Sequence, residues 1–553
     1  MTAETVPGVR RAWDPVVFIA LIALAIGLFF RFHHLDRKVY SGDEIYTTLR
    51  MLGISEADLV RQAPSFHSVR DLRLVLHPVP PQGTNGALAP ARTLAAEEPQ
   101  HPPVYFTLGH LWLGVAGNSI GAIRALSALI SLASLALAFT LGCELFGTRR
   151  AGWIALALFS LSPVGIAYAQ EAREYSLWGV ALLALELAVL RALRRERAVD
   201  WVVTAALTAF GVYVYPLTLP VVAGLGAYIV ATRWNERAVV LRGIGALGAG
   251  VLAATPWLAV IAAHWRAVNR GIATIVEAHL SPAEIARGAA SALRLNVFDL
   301  NFVHSSTAGA LLTGVALAIL TGAVAFLMRR TDSRVWLFLV LPVLASSLPL
   351  LGLDVFGGQR VRSPRYFIPC YISLDLALAG ALAFATALRD ARRYAGYAAL
   401  AMLLAVRAYS SFAASEAETW WNKMQDDSIA VARSVNAAKL PLVVSDNILD
   451  YSLVLSEYLR PDVMLVLRPR CYLCTESSAP PLDAGLLPDR PFTDVYALGP
   501  SPRLQARLRE LIAARGLNVA YHCINARHNC PSELNVEPVF DAPLTAPRTD
   551  SGT

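Results

Sequence analysis

The chain has 553 residues, 55% of them hydrophobic and only 16% charged, with a formal net charge of +7 at pH 7. That apolar share is too large for a soluble domain to hide, so most of the chain belongs in lipid. The positive balance makes no nucleic-acid surface, because the arginines gather in short clusters between apolar runs rather than in one patch.

The first apolar run follows Arg10 and Arg11 and passes directly into Arg31-Phe32-His33-His34, with no small-residue cleavage site. It reads as an uncleaved membrane anchor, not a signal peptide. A long polar loop follows, about 35–100, with Pro78, Pro80 and a Gly-Thr-Asn-Gly turn at 83–86. A bilayer needs about 20 apolar residues per crossing. Candidate stretches of roughly that length lie near 14–34, 120–146, 151–168, 175–193, 200–215, 216–232, 239–262, 306–328, 335–352, 366–388 and 395–412. The piece from His101 to Gly117 is too short to cross comfortably.

Loop charge fixes the expected topology. If 101–117 stays on the outer side, every basic cluster falls inside: Arg149-Arg150, Arg191 to Arg197, Arg233 to Arg242, Arg329 to Arg334 and Arg389 to Arg393. The positive-inside rule then predicts eleven spans, an inside N-terminus and an outside C-terminus. The expected fold is a polytopic α-helical membrane protein with a small C-terminal α/β domain. The expected divisions are a transmembrane region over 1–412, a soluble outer-face domain over 413–540 and a disordered tail over 541–553. Within that domain, Pro441 to Ser445 and Val463 to Leu467 read as strands, and Val495 to Leu511 as a strand and helix. Cys471, Cys474, Cys523 and Cys530 lie there too. In an oxidising compartment disulfides are a simpler reading than zinc, although the residues alone leave both open.

Four polar elements share the outer face in this topology. Asp43 and Glu44 follow the first span. His101-Pro102-Pro103-Val104-Tyr105-Phe106 re-enters the interface, its double proline stiffening the chain. Gln170-Glu171-Ala172-Arg173-Glu174-Tyr175-Ser176 crowds charge into a short turn after Ser162-Pro163. Arg360, Arg362 and Arg365 precede Tyr366 on an outer loop, against the charge bias of the other outer loops, and so need an anion to meet. A carboxylate to take a hydroxyl proton and cations to hold a departing phosphate suit transfer from a phosphate-linked donor.

The order of these elements, with Gly117-Asn118-Ser119, Arg124 and Arg365-Tyr366 with Pro369, resembles the family-39-like membrane glycosyltransferases. These are the protein O-mannosyltransferase and aminoarabinose transferase type of the glycosyltransferase-C superfamily. The resemblance runs from about 35 to 215 and resumes at Arg365. It implies a polyprenyl-phosphate sugar donor, a lipid, glycan or protein acceptor, and inversion in a single displacement. Carried onto this chain, it implies Asp43 as base, Glu44 positioning it or the acceptor, and Glu171 as a second acid. Arg365, Arg173, Tyr366 and Arg362 would serve the donor phosphate, and His101 and Tyr105 the substrate. No dedicated metal cluster appears in the sequence, so no obligatory cofactor is expected. The implied location is a bacterial inner membrane. A transporter is the competing reading, but its marks, internal repeats and charges near mid-membrane, are not evident. Among charges inside the apolar runs, Glu144 and Glu186 lie near arginines at inner ends, while Asp375 has no assigned role.

Overall fold

The computed structural model describes residues 14–272, 279–300, 307–420, 428–447, 449–474, 481–516 and 522–524. Among them, seven helices are long and apolar enough to cross a membrane, and two bent helix pairs raise the number to nine. The chain is therefore a multi-pass membrane protein. Ala198–Val214 and Thr218–Arg233 are apolar helices of lesser length. Each of the eleven stretches read from the sequence is thus helical, but length alone does not make each one a crossing. Val104–Ala116 has 13 residues, about 20 Å of helix, and packs with the first-loop helices: His110 Nδ1 lies 2.8 Å from the Met51 carbonyl.

Proline sets the two bends. Arg149–Ser160 and Pro163–Ala169 meet at 57°, and Arg237–Ala253 and Thr255–Ala263 at 52°, with a proline opening the second member of each pair. The first break has a chemical consequence. Pro163 has no N–H to donate to the Phe159 carbonyl four residues back, so that acceptor needs another partner. Arg31 supplies it, donating from Nη2 to Phe159 O at 2.9 Å and from Nη1 to Ser160 O at 2.6 Å. Arg407 does the same for Leu158 O at 2.8 Å. Gly27 permits this approach, since a Cβ there would stand 2.2 Å from the Ser160 carbonyl oxygen. Two buried arginines thereby fix the segment that leads into the 170–174 turn.

Burial separates central from peripheral helices. In their most apolar windows, Pro364–Thr386 is 78% buried and Tyr175–Arg195 72%, against 22% for Thr307–Arg330. Of the acidic residues Asp375, Glu144 and Glu186, the first two are paired with arginines. Asp375 meets Arg407 at 2.5 Å with both side chains buried. Glu144 is held by Arg191 and Arg194. Glu186 meets no arginine; it is buried, and neither carboxylate oxygen has a hydrogen-bond partner among the described residues.

The C-terminal region carries four parallel strands: β1 (Pro441–Ser445), β2 (Met464–Leu467), β3 (Asp494–Leu498) and β4 (His522–Ile524), in the order β2-β1-β3-β4. Alternation splits its side chains between two cores. Leu442, Val444, Val466, Val495 and Ala497 pack with Leu504 and Leu508 of the Pro502–Ala514 helix. Val443, Leu465, Leu467 and Leu498 join the core of the main body. The sheet is also tied to the first loop by backbone hydrogen bonds, from Val69 N to Val463 O and from Leu465 N to His67 O. Arg73 adds bonds to the carbonyls of Ser456, Glu457 and Leu459. One face of the sheet thus completes its core against the rest of the chain, while the other packs on the Pro502–Ala514 helix. Cys471 and Cys474 form a disulfide. Cys530, the Cys523 side chain and the 541–553 tail lie outside the described residues.

Candidate active site

The Gly42–Leu52 helix starts the site. Ser41 and Glu44 form a reciprocal capping box, which places Asp43 in the first turn. The Asp43 side chain is 41% exposed. Its neighbour Glu44 is fully buried. Arg124 grips Glu44 with two parallel hydrogen bonds, Nε to Oε1 and Nη2 to Oε2, both 2.8 Å. Arg124 also donates to the carbonyls of Leu35, Lys38 and Val39. The Ala172 amide donates to Glu44 Oε1 at 3.0 Å, so one carboxylate ties the loop after the first helix to the 170–174 turn. The expectation that Glu44 serves beside Asp43 at the reacting centre is corrected: its oxygens are occupied by structure.

Arg365 stands in a short 3-10 turn opened by Pro364, at the head of the most buried helix. Its Nη1 donates to Asp43 Oδ2 at 3.0 Å and to the Tyr175 hydroxyl at 3.1 Å. The guanidinium lies over the rings of Tyr175 and Tyr366, at 5.9 and 5.4 Å from their centroids. Tyr175 in turn opens the other central helix. The two most buried helices thus begin at one cluster.

Arg173 braces Asp43 from its backbone side. Its Nη1 donates to Asp43 O at 3.2 Å and to Thr47 Oγ1 at 3.1 Å. Its Nη2 lies 3.3 Å from His101 Nε2, while His101 Nδ1 lies 2.7 Å from Glu174 Oε1. A donor facing Nε2 and a carboxylate facing Nδ1 assign the ring proton to Nδ1. Burial alone would raise the Glu174 carboxyl, but Arg173 and His101 overcome it and bring the group to about 2. Glu174 is therefore a fixed anion that orients His101. The chain Glu174, His101, Arg173, Asp43, Arg365 and Tyr175 is one connected polar network.

The structure brings together Asp43, Arg365, Tyr366, Arg173 and His101 and leaves other candidates out. Arg362 is exposed and bonds Glu284 at 3.2 Å and Gln359 at 3.2 Å, so the expectation that it joins Arg365 is corrected. Tyr105 is fully buried with its hydroxyl 2.7 Å from Ser127 Oγ, which makes it a core residue rather than a substrate contact. Glu171 is 3% exposed, and its backbone carbonyl accepts from Arg173 N. Glu174, Tyr175 and Thr47 were not singled out from the sequence. The first two stand inside the charged turn motif, so the signal was present; Thr47 carried none. One group among the described residues has metal-ligand geometry: His33, His34 and Glu416, with ligand atoms within 4.8 Å of one another. Arg37 already bonds Glu416 Oε2 at 2.9 Å, a cation in competition with any metal.

Residues 100–262 match the family model described as dolichyl-phosphate-mannose-protein mannosyltransferase. That stretch carries His101 and the whole charged turn, and it agrees with the resemblance drawn from the motifs. The match covers under a third of the chain and likens that stretch to protein mannosyltransferases. No curated protein matches the chain. Solved structures that resemble it include ArnT from Cupriavidus metallidurans bound to undecaprenyl phosphate, at 13% identity and a TM-score of 0.47, covering 81% of this chain and 85% of that one. Another is the oligosaccharyltransferase AglB from Archaeoglobus fulgidus, in complex with an inhibitory peptide and a dolichol-phosphate, at 13% identity and a TM-score of 0.43. It is covered over 65% of its length by 82% of this chain.

Proposed function

We propose that this chain transfers a glycosyl group from a polyprenyl-phosphate-linked sugar to an acceptor hydroxyl at the outer face of a bacterial inner membrane. The observation that carries the reading is the Asp43–Arg365 pair, a partly exposed carboxylate and a cation 3.0 Å apart. The family model covering 100–262, named for a lipid-phosphate sugar donor, supports it.

In this mechanism the donor phosphate competes with Asp43 for Arg365, which has a planar donor edge suited to phosphate. Engaging the phosphate releases the Asp43 carboxylate toward the acceptor. The acceptor oxygen attacks the anomeric carbon, the bond from that carbon to the phosphate oxygen breaks, and the bonding pair leaves with the lipid phosphate. The hydroxyl proton passes to Asp43, and one displacement inverts the anomeric centre. Arg173 holds the Asp43 backbone, Tyr366 and Tyr175 flank Arg365, and Glu171 is assigned no proton step. The arginines supply the charge stabilisation, so the proposal requires no metal. The acceptor is a lipid, a glycan or a protein.

The same reading takes all eleven helical stretches as crossings, with Ala198–Val214, Thr218–Arg233 and both bent pairs each counted as one. It places the N-terminus in the cytoplasm and the Asp43 end, with the C-terminal sheet, outside. The test is to delete the gene and compare lipids, surface glycans and glycoproteins by mass spectrometry with the parent and with an Asp43→Asn complement. One glycosylated product should vanish on deletion and stay absent in the complement. Its return with Asp43→Asn would remove Asp43 from the role of base.

A further inference from the structure

An open cavity enclosing about 500 Å³, mouth included, lies between the helices Pro15–Phe32, Pro163–Ala169 and Arg392–Glu416. Its lining includes Phe30, Lys38, Gln170, Ser411, Ala414 and Trp420, and Asp299 also borders it. It lies on the other side of the 170–174 turn from the candidate active site in its contacts: Gln170 bonds Lys38, whereas Arg173 bonds Asp43.

Lys38 is the unusual member of this wall. It is 4% exposed, and its Nζ donates to Gln170 Oε1 at 3.0 Å and stands 5.0 Å from the Trp420 ring centroid. No carboxylate lies in ion-pair range of it among the described residues. Glu44, an acid in its electrostatic surroundings, gives both oxygens to Arg124. Burial, with Arg124 adding to it, pushes the Lys38 amine down to about 7. A buried ammonium with one hydrogen-bond acceptor of three is costly unless an anion completes it. The wall is apolar at Phe30, Pro163, Ile166 and Ala414 and carries the small hydroxyl residues Ser410, Ser411, Ser415 and Thr419, and the two long helices present exposed Phe29 and Phe412.

We propose that this cavity seats the phosphate of an anionic membrane lipid against Lys38, its acyl chains lying along the helices Pro15–Phe32 and Arg392–Glu416. The cation selects the headgroup and the apolar wall selects a lipid over a free ion. A lipid there contacts Gln170 and so supports the turn that carries Arg173. The site depends on membrane embedding alone and stands apart from the assignment of sugar transfer.

The test uses the full chain in nanodiscs of phosphatidylcholine mixed with phosphatidylglycerol, followed by mild delipidation and native mass spectrometry. The wild-type chain should retain phosphatidylglycerol in preference to phosphatidylcholine. Lys38→Gln should lose that preference by about tenfold, the scale of one charge-assisted hydrogen bond, while Lys38→Arg keeps it. Ala414→Phe fills the cavity without touching the charges and should also abolish retention, which covers the case of a Lys38 variant that fails to fold. Equal retention of both lipids by the wild type would overturn the proposal, as would unchanged selectivity in Lys38→Gln and Ala414→Phe. Displacement of phosphatidylglycerol by inorganic phosphate would overturn it in favour of a free anion.

Discussion

Arg365 reaches Asp43 across 322 positions of sequence, Nη1 to Oδ2 at 3.0 Å, and this contact joins the Gly42–Leu52 helix to the head of a central membrane helix. It sets a carboxylate that can accept a proton beside a cation that can hold a phosphate. Each partner is accessible, at 41% and 22% side-chain exposure.

Asp43→Asn keeps the size of the side chain and a hydrogen-bond acceptor for Arg365 but removes the basic oxygen. Transfer should fall by about 10²–10⁴-fold, the usual contribution of a positioned base. Thermal stability and membrane insertion should be unchanged. A kinetic assay on purified chain in nanodiscs, alongside a melting curve, checks both.

Arg365→Ala should raise the donor KM more than it lowers kcat, since the lost group binds the phosphate in the ground state as well as on departure. Arg365→Lys should recover only part of the loss, because an ammonium cannot offer two parallel donors. Arg362→Ala, by contrast, should leave donor dependence as it was. Steady-state kinetics over a range of donor concentrations separates the three.

Arg124→Met leaves the Glu44 carboxylate buried without its partner. The expected cost is about 3–5 kcal/mol, the range for breaking one side of a buried pair. Adding Glu44→Gln should restore part of it, because the stranded charge is then gone. Chemical or thermal unfolding of the single and double variants reads this coupling. Equal damage in single and double variants would mean the ion pair itself is not what matters.

Glu56 gives a pH prediction. It accepts hydrogen bonds from the amides of Tyr472 and Leu473, next to the Cys471–Cys474 disulfide, and burial raises its carboxyl from 4.5 to about 7. A raised acid means the folded state binds the proton more tightly than the unfolded state. The associated stability is therefore complete below pH 4.5 and lost as pH rises through about 7. The Tm of Glu56→Gln, measured against wild type, should gain from pH 5 to about pH 7 and level off above it. A constant difference across that range would show that Glu56 does not titrate there.

Loss of divalent metal should leave transfer intact, since the proposed phosphate cation is Arg365. Chelation with EDTA followed by an activity assay measures this directly. Activity that collapses and returns with added metal would move the charge stabilisation from the arginine to an ion.

Much of this molecule was legible in one dimension because lipid imposes a simple rule on composition. Every apolar stretch read from the sequence is helical, since a helix satisfies its own backbone where water is absent. The strands at Pro441 and Met464 were legible for a similar reason: a short β-branched or aliphatic run with polar flanks has few other uses. The charged turn at 170–176 announced itself by its density of ionisable groups.

What the sequence could not assign was the direction in which each polar side chain faces. Asp43 and Glu44 are adjacent, and in a helix adjacent residues point about 100° apart; only the capping box and the distant Arg124 decide that Asp43 is the exposed one. Arg362 and Arg365 are three apart, yet one meets Glu284 and the other Asp43, because the extended Ser363 separates the two 3-10 turns that carry them. Pro163 falls inside the single stretch read at 151–168, and its need for Arg31 to complete the Phe159 carbonyl is a long-range contact with no local trace. Composition and periodicity determined a helical membrane protein with charge gathered at one end of its spans. The tertiary structure alone determined which of those charges are partners and which remain accessible, because pairing depends on side chains brought together from opposite ends of the chain.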